Sequence, residues 1–154
     1  MSFEKNVQTN SVKETEEQGA ALAKALCEDS ALPRFVALYG DLGVGKTAFV
    51  RGFASVVTPS VPVRSPTFAI VNEYRSAGRT LFHFDMYRID SEDDLLSIGF
   101  YDYWDRDGIC LVEWSEKIPY ALPDAYLRVE IQKTDPQRAD ERKITVTLCK
   151  EENA

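Results

Sequence analysis

The run Gly40-Asp-Leu-Gly-Val-Gly45-Lys46-Thr47 narrows the folds open to this chain more than any other feature. It fits the pattern G-x-x-x-x-G-K-[ST]. With glycine near 7% of residues, four such fixed positions should coincide by chance in roughly one chain of this length in two hundred. The flanks have the right character as well. Phe35-Val-Ala-Leu-Tyr39, bounded by Pro33 and Gly40, reads as a short buried strand. Phe49, Val50, Phe53, Ala54 and Val57 mark one face of a helix that Pro59 ends. A strand passing through a glycine-rich turn into a helix can cradle a phosphate chain. Glycines such as Gly40, Gly43 and Gly45 let backbone N–H groups approach phosphate oxygens, and the helix N-terminus adds donors and partial positive charge. In such a cradle Lys46 reaches the β- and γ-phosphates, and the Thr47 hydroxyl ligates Mg2+.

The rest of the chain predicts the scaffold around this turn. Ser11-Val-Lys-Glu14 is a capping box that opens a helix, with Val12, Thr15, Gly19, Leu22, Ala23 and Leu26 at helical spacing to about Glu28. Thr58 to Pro66 carries three prolines and is a loop. Strands are expected over 67–74 and 80–84, joined by a hairpin at Ser76-Ala-Gly-Arg79. Ser91 with Asp94 caps a short acidic helix carrying Leu95, Leu96 and Ile98. Ile109-Cys-Leu-Val112 is a further buried strand ending on Glu113, and two more strands fall near 126–131 and 144–149. Elements alternate early and strands cluster late. The expected fold is an α/β three-layer sandwich, one domain over 1–154 with its core at about 11–150, and a mixed sheet with a parallel centre and antiparallel additions.

A phosphate cradle of this kind needs a second contact to magnesium, normally an acid at the end of a neighbouring strand. Two residues qualify. Asp85 ends Leu81-Phe-His-Phe84 and Glu113 ends Ile109–Val112. The run before Glu113 is the more uniformly apolar and better suits a central strand. Glu113 is therefore the preferred metal ligand, with Asp85 orienting water or holding the ion through its hydration shell; either could instead be an ordinary strand-end residue. Ser65-Pro-Thr67 follows the cradle by about twenty residues, where GTPases place a segment that senses the γ-phosphate through a Thr hydroxyl. It can equally be a simple turn. His83, between Phe82 and Phe84, reads as a structural residue, and Trp104 and Trp114 as packing residues, with Trp114 placed close to the nucleotide. The chain contains no Asn-Lys-x-Asp guanine-reading motif, which favours ATP over GTP.

Charge and composition exclude several other classes. The net charge is −7, and the stretch from Asp85 to Asp107 holds eight acids against Arg88 and Arg106, or −6. A chain that grips nucleic acid through its own surface usually has the opposite sign. The stretch is either a solvated face or a docking face for a basic partner. Cys27, Cys110 and Cys149 are odd in number and sit among apolar neighbours, so buried thiols are expected rather than disulfides; His83 is the only histidine, which disfavours zinc. No apolar run reaches the ~18–20 residues of a membrane helix. Met1–Asn10 is polar and resembles no targeting peptide, so a cytoplasmic location is expected.

Taken in order, Gly-Asp-Leu-Gly-Val-Gly-Lys-Thr (40–47), Ser-Pro-Thr (65–67), His-Phe-Asp-Met-Tyr-Arg (83–88) and Leu-Val-Glu-Trp-Ser-Glu (111–116) resemble the TsaE (YjeE) family, over roughly Ser11 to Asp124. That family is a small P-loop ATPase required for threonylcarbamoyladenosine beside the tRNA anticodon. The resemblance implies weak ATPase activity alone and two partner proteins, TsaB and TsaD, through which tRNA is reached. By matching position it also implies that Gly43, Val44, Gly45, Lys46, Thr47 and Ala48 hold the phosphates, that Thr47 and Glu113 bind magnesium, and that Asp85 and Thr67 complete the catalytic surroundings with Lys46. The backbone around Val12 would touch the base. Ala48 stands where many members carry a second threonine, which removes one hydroxyl near the α-phosphate. Two other readings of the residues remain: a nucleotide-gated interaction module, in which binding rather than hydrolysis matters, and a small-molecule kinase whose lid would come from the Arg138–Lys143 turn.

Overall fold

The computed structural model describes residues 4–40 and 45–150. Seven strands and three α-helices follow one another as β1 (Glu4–Thr9), α1 (Val12–Glu28), β2 (Phe35–Tyr39), α2 (Lys46–Val57), β3 (Val71–Ser76), β4 (Arg79–Asp85), α3 (Glu92–Ser97), β5 (Ile109–Glu113), β6 (Ala125–Lys133) and β7 (Arg142–Lys150), with 3-10 helices at Phe100–Asp105 and Ser115–Lys117. All strands join one sheet in the order β1-β7-β6-β2-β5-β4-β3. The central four, β6-β2-β5-β4, are parallel, while β3, β7 and β1 add antiparallel edges. The mixed sheet with a parallel centre is the architecture expected from the sequence.

Both faces of the central strands are covered, so β2 and β5 are buried along their whole length. On one face Val36 and Leu38 of β2 and Leu111 of β5 meet Leu22 and Leu26 of α1 and Phe49 and Phe53 of α2. The two helices approach so closely that a Cβ on Gly19 would collide with the Phe49 carbonyl, and one on Gly52 with the Glu16 carbonyl. On the other face Phe35, Ala37, Phe84 and Val112 pack against Phe100, Leu95 and Ile118 from the short helices and loops. The result is three layers.

Ser11 caps α1 by accepting from Glu14 N at 3.1 Å, and Ser91 caps α3 by accepting from Asp94 N at 3.4 Å. Ala77 and Gly78, both at positive φ (53° and 75°), make the two-residue loop between β3 and β4, in register from Ser76↔Arg79. Two differences from the expected pattern have physical causes. The strand expected from Thr67 begins only at Val71, because Ile70 N donates to Pro66 O at 2.6 Å and Ile70 takes φ 69°, which closes a turn over 66–70. The polar segment before Ser11 is strand β1: it borrows its order from β7, pairing Glu4↔Thr147 through Thr9↔Arg142, and an edge strand with one solvated face needs little apolar sequence. Among the described residues no helix is long and apolar enough to cross a membrane.

Candidate functional site

The parallel strands β2, β4 and β5 end at the same edge of the sheet. Register pairs Ala37 with Val112 and Asp85 with Glu113, so the chain leaving β2 at Gly40 lies beside two neighbouring carboxylates. The carboxyl edge of an open parallel sheet is where ligands bind in such folds. A cleft of about 720 Å³, part of it open to solvent, lies there, and Lys46, Thr47, Thr67, His83, Asp85 and Glu113 all line it.

Lys46 and Thr47, after the glycine-rich turn, form part of its first wall. Gly40 (φ 146°) and Gly45 (φ 100°) take backbone conformations that favour glycine, and Gly45 is the N-cap of α2. Gly43 and Val44 lie outside the described residues. Lys46 is only 6% exposed. Its Nζ donates to Gly40 O at 2.6 Å and stands 3.7 Å from the centre of the Trp114 ring. Gly40 N in turn donates to Glu116 Oε2 at 3.1 Å, so both ends of the turn are held by the segment following β5. Thr47 is exposed at the start of α2, and Ala48 is buried. Val12, half-exposed, is the first residue of α1. One helical turn on, Thr15 faces the cradle: a Cβ placed on Gly45 would lie 3.7 Å from Thr15 Cγ2.

The second wall carries the acids. Asp85 is 7% exposed and Glu113 9%. Asp85 Oδ1 accepts from Tyr87 N at 2.9 Å, and its Oδ2 accepts from Thr67 Oγ1 at 3.3 Å. Since the Thr67 hydroxyl proton is spent on Asp85, the 2.6 Å contact between Ser65 Oγ and Thr67 Oγ1 has Ser65 as donor. The Ser-Pro-Thr segment is therefore joined to Asp85 by a direct bond. Glu113 Oε2 lies 2.6 Å from His83 Nε2. Buried carboxylates held by such hydrogen bonds keep fixed positions, which a metal or water site requires.

The structure thus gathers Lys46, Thr47, Thr67, Asp85 and Glu113 in one cleft, with Gly40 bonded to Lys46 and Gly45 capping α2 beside it. Three residues at the site were not assigned a part in it from the sequence. His83, flanked by phenylalanines, has a structural role by sequence, and only the register of β4 against β5 reveals its bond to Glu113. Glu116 lies in the Leu-Val-Glu-Trp-Ser-Glu segment, but its contact to Gly40 spans 76 residues. Arg142 begins β7, and a Cβ on Gly45 would lie 3.7 Å from its Nε. Its Nη1 donates to the carbonyls of Ala139 and Glu141 at 2.6 and 2.8 Å, which fixes the guanidinium beside the cradle. No local pattern marks an arginine that reaches its place across a sheet edge.

Comparison with known proteins adds a family. Residues 9–144 match the family described as "Threonylcarbamoyl adenosine biosynthesis protein TsaE". A relative from Haemophilus influenzae named tRNA threonylcarbamoyladenosine biosynthesis protein TsaE is 44% identical over 103 residues, covering 67% of this chain and 65% of that protein. A relative of the same name from Bacillus subtilis is 37% identical over 131 residues, covering 85% and 80%. The crystal structure of Bacillus subtilis YdiB superposes with a TM-score of 0.73 at 33% identity, covering 96% of this chain and 86% of that one.

Proposed function

This chain belongs to the TsaE family, and from that premise we propose that it is a P-loop ATPase that binds ATP with Mg2+ and serves threonylcarbamoyladenosine modification of tRNA together with TsaB and TsaD. The observation that carries the reading is the convergence of Lys46 and the glycine-capped start of α2 with Asp85 and Glu113, in register on adjacent strands.

The donors suit magnesium: Thr47 offers a hydroxyl and Glu113 a carboxylate, both hard oxygen ligands. Among the described residues no three His, Cys, Asp or Glu side chains cluster as a metal cage. A magnesium ion held by one or two protein oxygens, with phosphates and water filling the remaining positions, has the coordination this ion prefers. When bound it supplies neutralisation of charge on the phosphate oxygens. Lys46 exchanges the Gly40 carbonyl for a phosphate oxygen, and Trp114 keeps its ammonium desolvated on one side. Asp85, fixed by Thr67 and Tyr87, orients a water near the γ-phosphate. Arg142 lies beside the cradle, but its backbone bonds anchor it, and Arg51, which lines the cleft, is ion-paired to Glu16, so the rate-raising cation is assigned to a partner. Slow hydrolysis alone and faster hydrolysis with TsaB, TsaD and tRNA are expected, since such an arginine is worth about 10³–10⁵ in rate.

In the Arg138–Lys143 turn, the candidate lid of a kinase, Arg138 is ion-paired to Asp135 and Glu141 and Arg142 is bonded to the carbonyls of Ala139 and Glu141, which argues against a phosphate clamp. The test of the main reading is calorimetric titration with ATP and Mg2+. Lys46→Ala should weaken binding about 10- to 100-fold, as expected for a charge-assisted bond of about 1.5–3 kcal/mol. A wild-type protein that takes up no nucleotide would overturn it.

A further inference from the structure

The metal-side acid Glu113 is the end of a buried hydrogen-bond chain that leads away from the cradle. His83 Nε2 is 2.6 Å from Glu113 Oε2, and His83 Nδ1 is 3.3 Å from the Tyr74 hydroxyl. Arg64 N donates to that hydroxyl at 3.1 Å, and Asn72 Nδ2 donates to Arg64 O at 3.0 Å. His83 Nε2–H donates to the carboxylate, the Tyr74 hydroxyl accepts from Arg64 N–H and donates to Arg64 O, which Asn72 also serves, and the same hydroxyl lies against His83 Nδ1. His83 is 1% exposed and Tyr74 7%, so neither can replace a lost partner with bulk water at small cost. Arg64 directly precedes Ser65-Pro-Thr67, whose Thr67 is bonded to the other acid, Asp85. The same short loop is therefore tied to both acids, at one end through Thr67 and at the other through Tyr74 and His83.

We propose that His83 and Tyr74 are positioning residues that set the Glu113 carboxylate for the metal and link its position to the 64–67 loop. This deepens the ATPase reading and rests on Glu113 being a metal ligand. His83 fixes which carboxylate oxygen is occupied: Oε2 is taken by the imidazole, and Oε1 is the oxygen that would be left for an ion. Tyr74 lies against Nδ1 of the ring and anchors the loop through both backbone groups of Arg64, since its hydroxyl also lies 2.9 Å from Arg64 O. A loop and a ligand that share one rigid chain cannot move independently, so loop placement and metal affinity are linked in both directions.

The test is Mn2+ binding by the full chain in the presence of ADP, read by electron paramagnetic resonance, with ADP affinity in EDTA measured alongside. His83→Phe should weaken Mn2+ about 10-fold or more while metal-free ADP affinity stays within about two-fold. His83→Gln, whose amide N–H can stand in for Nε2–H, should recover most of the loss. Tyr74→Phe should give a smaller loss of Mn2+ affinity and raise hydrogen exchange at the backbone amide of Arg64. Wild-type Mn2+ affinity in His83→Phe overturns the proposal, as does a His83→Gln variant no better than His83→Phe. Should His83→Phe prove unfolded by circular dichroism, Tyr74→Phe carries the test, and unchanged Mn2+ affinity there has the same force. Wild-type protein that binds ADP but no Mn2+ would instead refute the metal assignment to Glu113.

Discussion

The two faces of the sheet bury comparable sets of side chains but are closed by different means. One is roofed by α1 and α2, two regular helices whose apolar stripes meet Val36, Leu38 and Leu111. The other has only the six-residue α3 and two 3-10 helices, and aromatic rings do the covering. Phe100 alone makes edge-on contacts with Phe35, Phe84, Tyr101 and Trp104 at centroid distances of 5.2–6.2 Å. On the helical face order comes from backbone hydrogen bonds and a repeating stripe. On the aromatic face it comes from the shapes of a few large side chains, so loss should be concentrated in single residues.

The sharpest way to break that contrast is Phe100→Ala. It removes a fully buried ring from the hub of the aromatic face and should cost about 3–5 kcal/mol in urea unfolding. A loss below about 1 kcal/mol would mean that the ring network is redundant. The helical face has its own weak point at the α1–α2 crossing. In Gly52→Ala the new methyl meets the Glu16 carbonyl, and the overpacking of about 1–3 kcal/mol should exceed the gain of roughly 1 kcal/mol in helix propensity; a more stable variant would show that the helices can separate freely.

Smaller effects sharpen the comparison at its margin. Glu73 of β3 bridges to Arg106 at the edge of the aromatic face, and its hydrogen bond to Arg75, then that to Arg106, holds its carboxyl below the ordinary value of 4.5. A depressed acid stabilises the fold above its unfolded value and loses that contribution as pH falls through the folded value. Glu73→Gln should therefore cost under about 1 kcal/mol at pH 7, and its difference from wild type should vanish in acid below the usual glutamate range. Burial pushes the Cys110 thiol up to about 12. Ellman's reagent at pH 8 should react with Cys27 and Cys149, both partly exposed, well before Cys110. Equal rates for all three would show that the aromatic face opens as readily as the helical one.

A different division, between local and long-range contacts, separates what could be read from the sequence from what could not. The cradle, both capped helices, the hairpin at Ala77-Gly78 and the buried strands β2 and β5 are local: each is specified by residues within a few positions of one another. Asp85, Glu113 and Thr67 could be picked out as strand-end or loop residues expected near one ion, but not the atoms that join them. Strand β1 escaped notice because its ordering partner, β7, is more than 130 residues away. His83 looked like a packing residue because its sequence neighbours are phenylalanines, and alternation along a strand says nothing about what lies across the sheet.

By itself, then, the order of residues determined a glycine turn between a buried strand and an amphipathic helix, since backbone propensity and hydrophobic period act over a few residues. Only the folded sheet decided that Asp85 stands level with Glu113, that His83 holds one carboxylate oxygen, and that Arg142 and Glu116 flank the cradle. Those placements depend on strand order and register, which arise from contacts between segments far apart in the chain and leave no short-range signature.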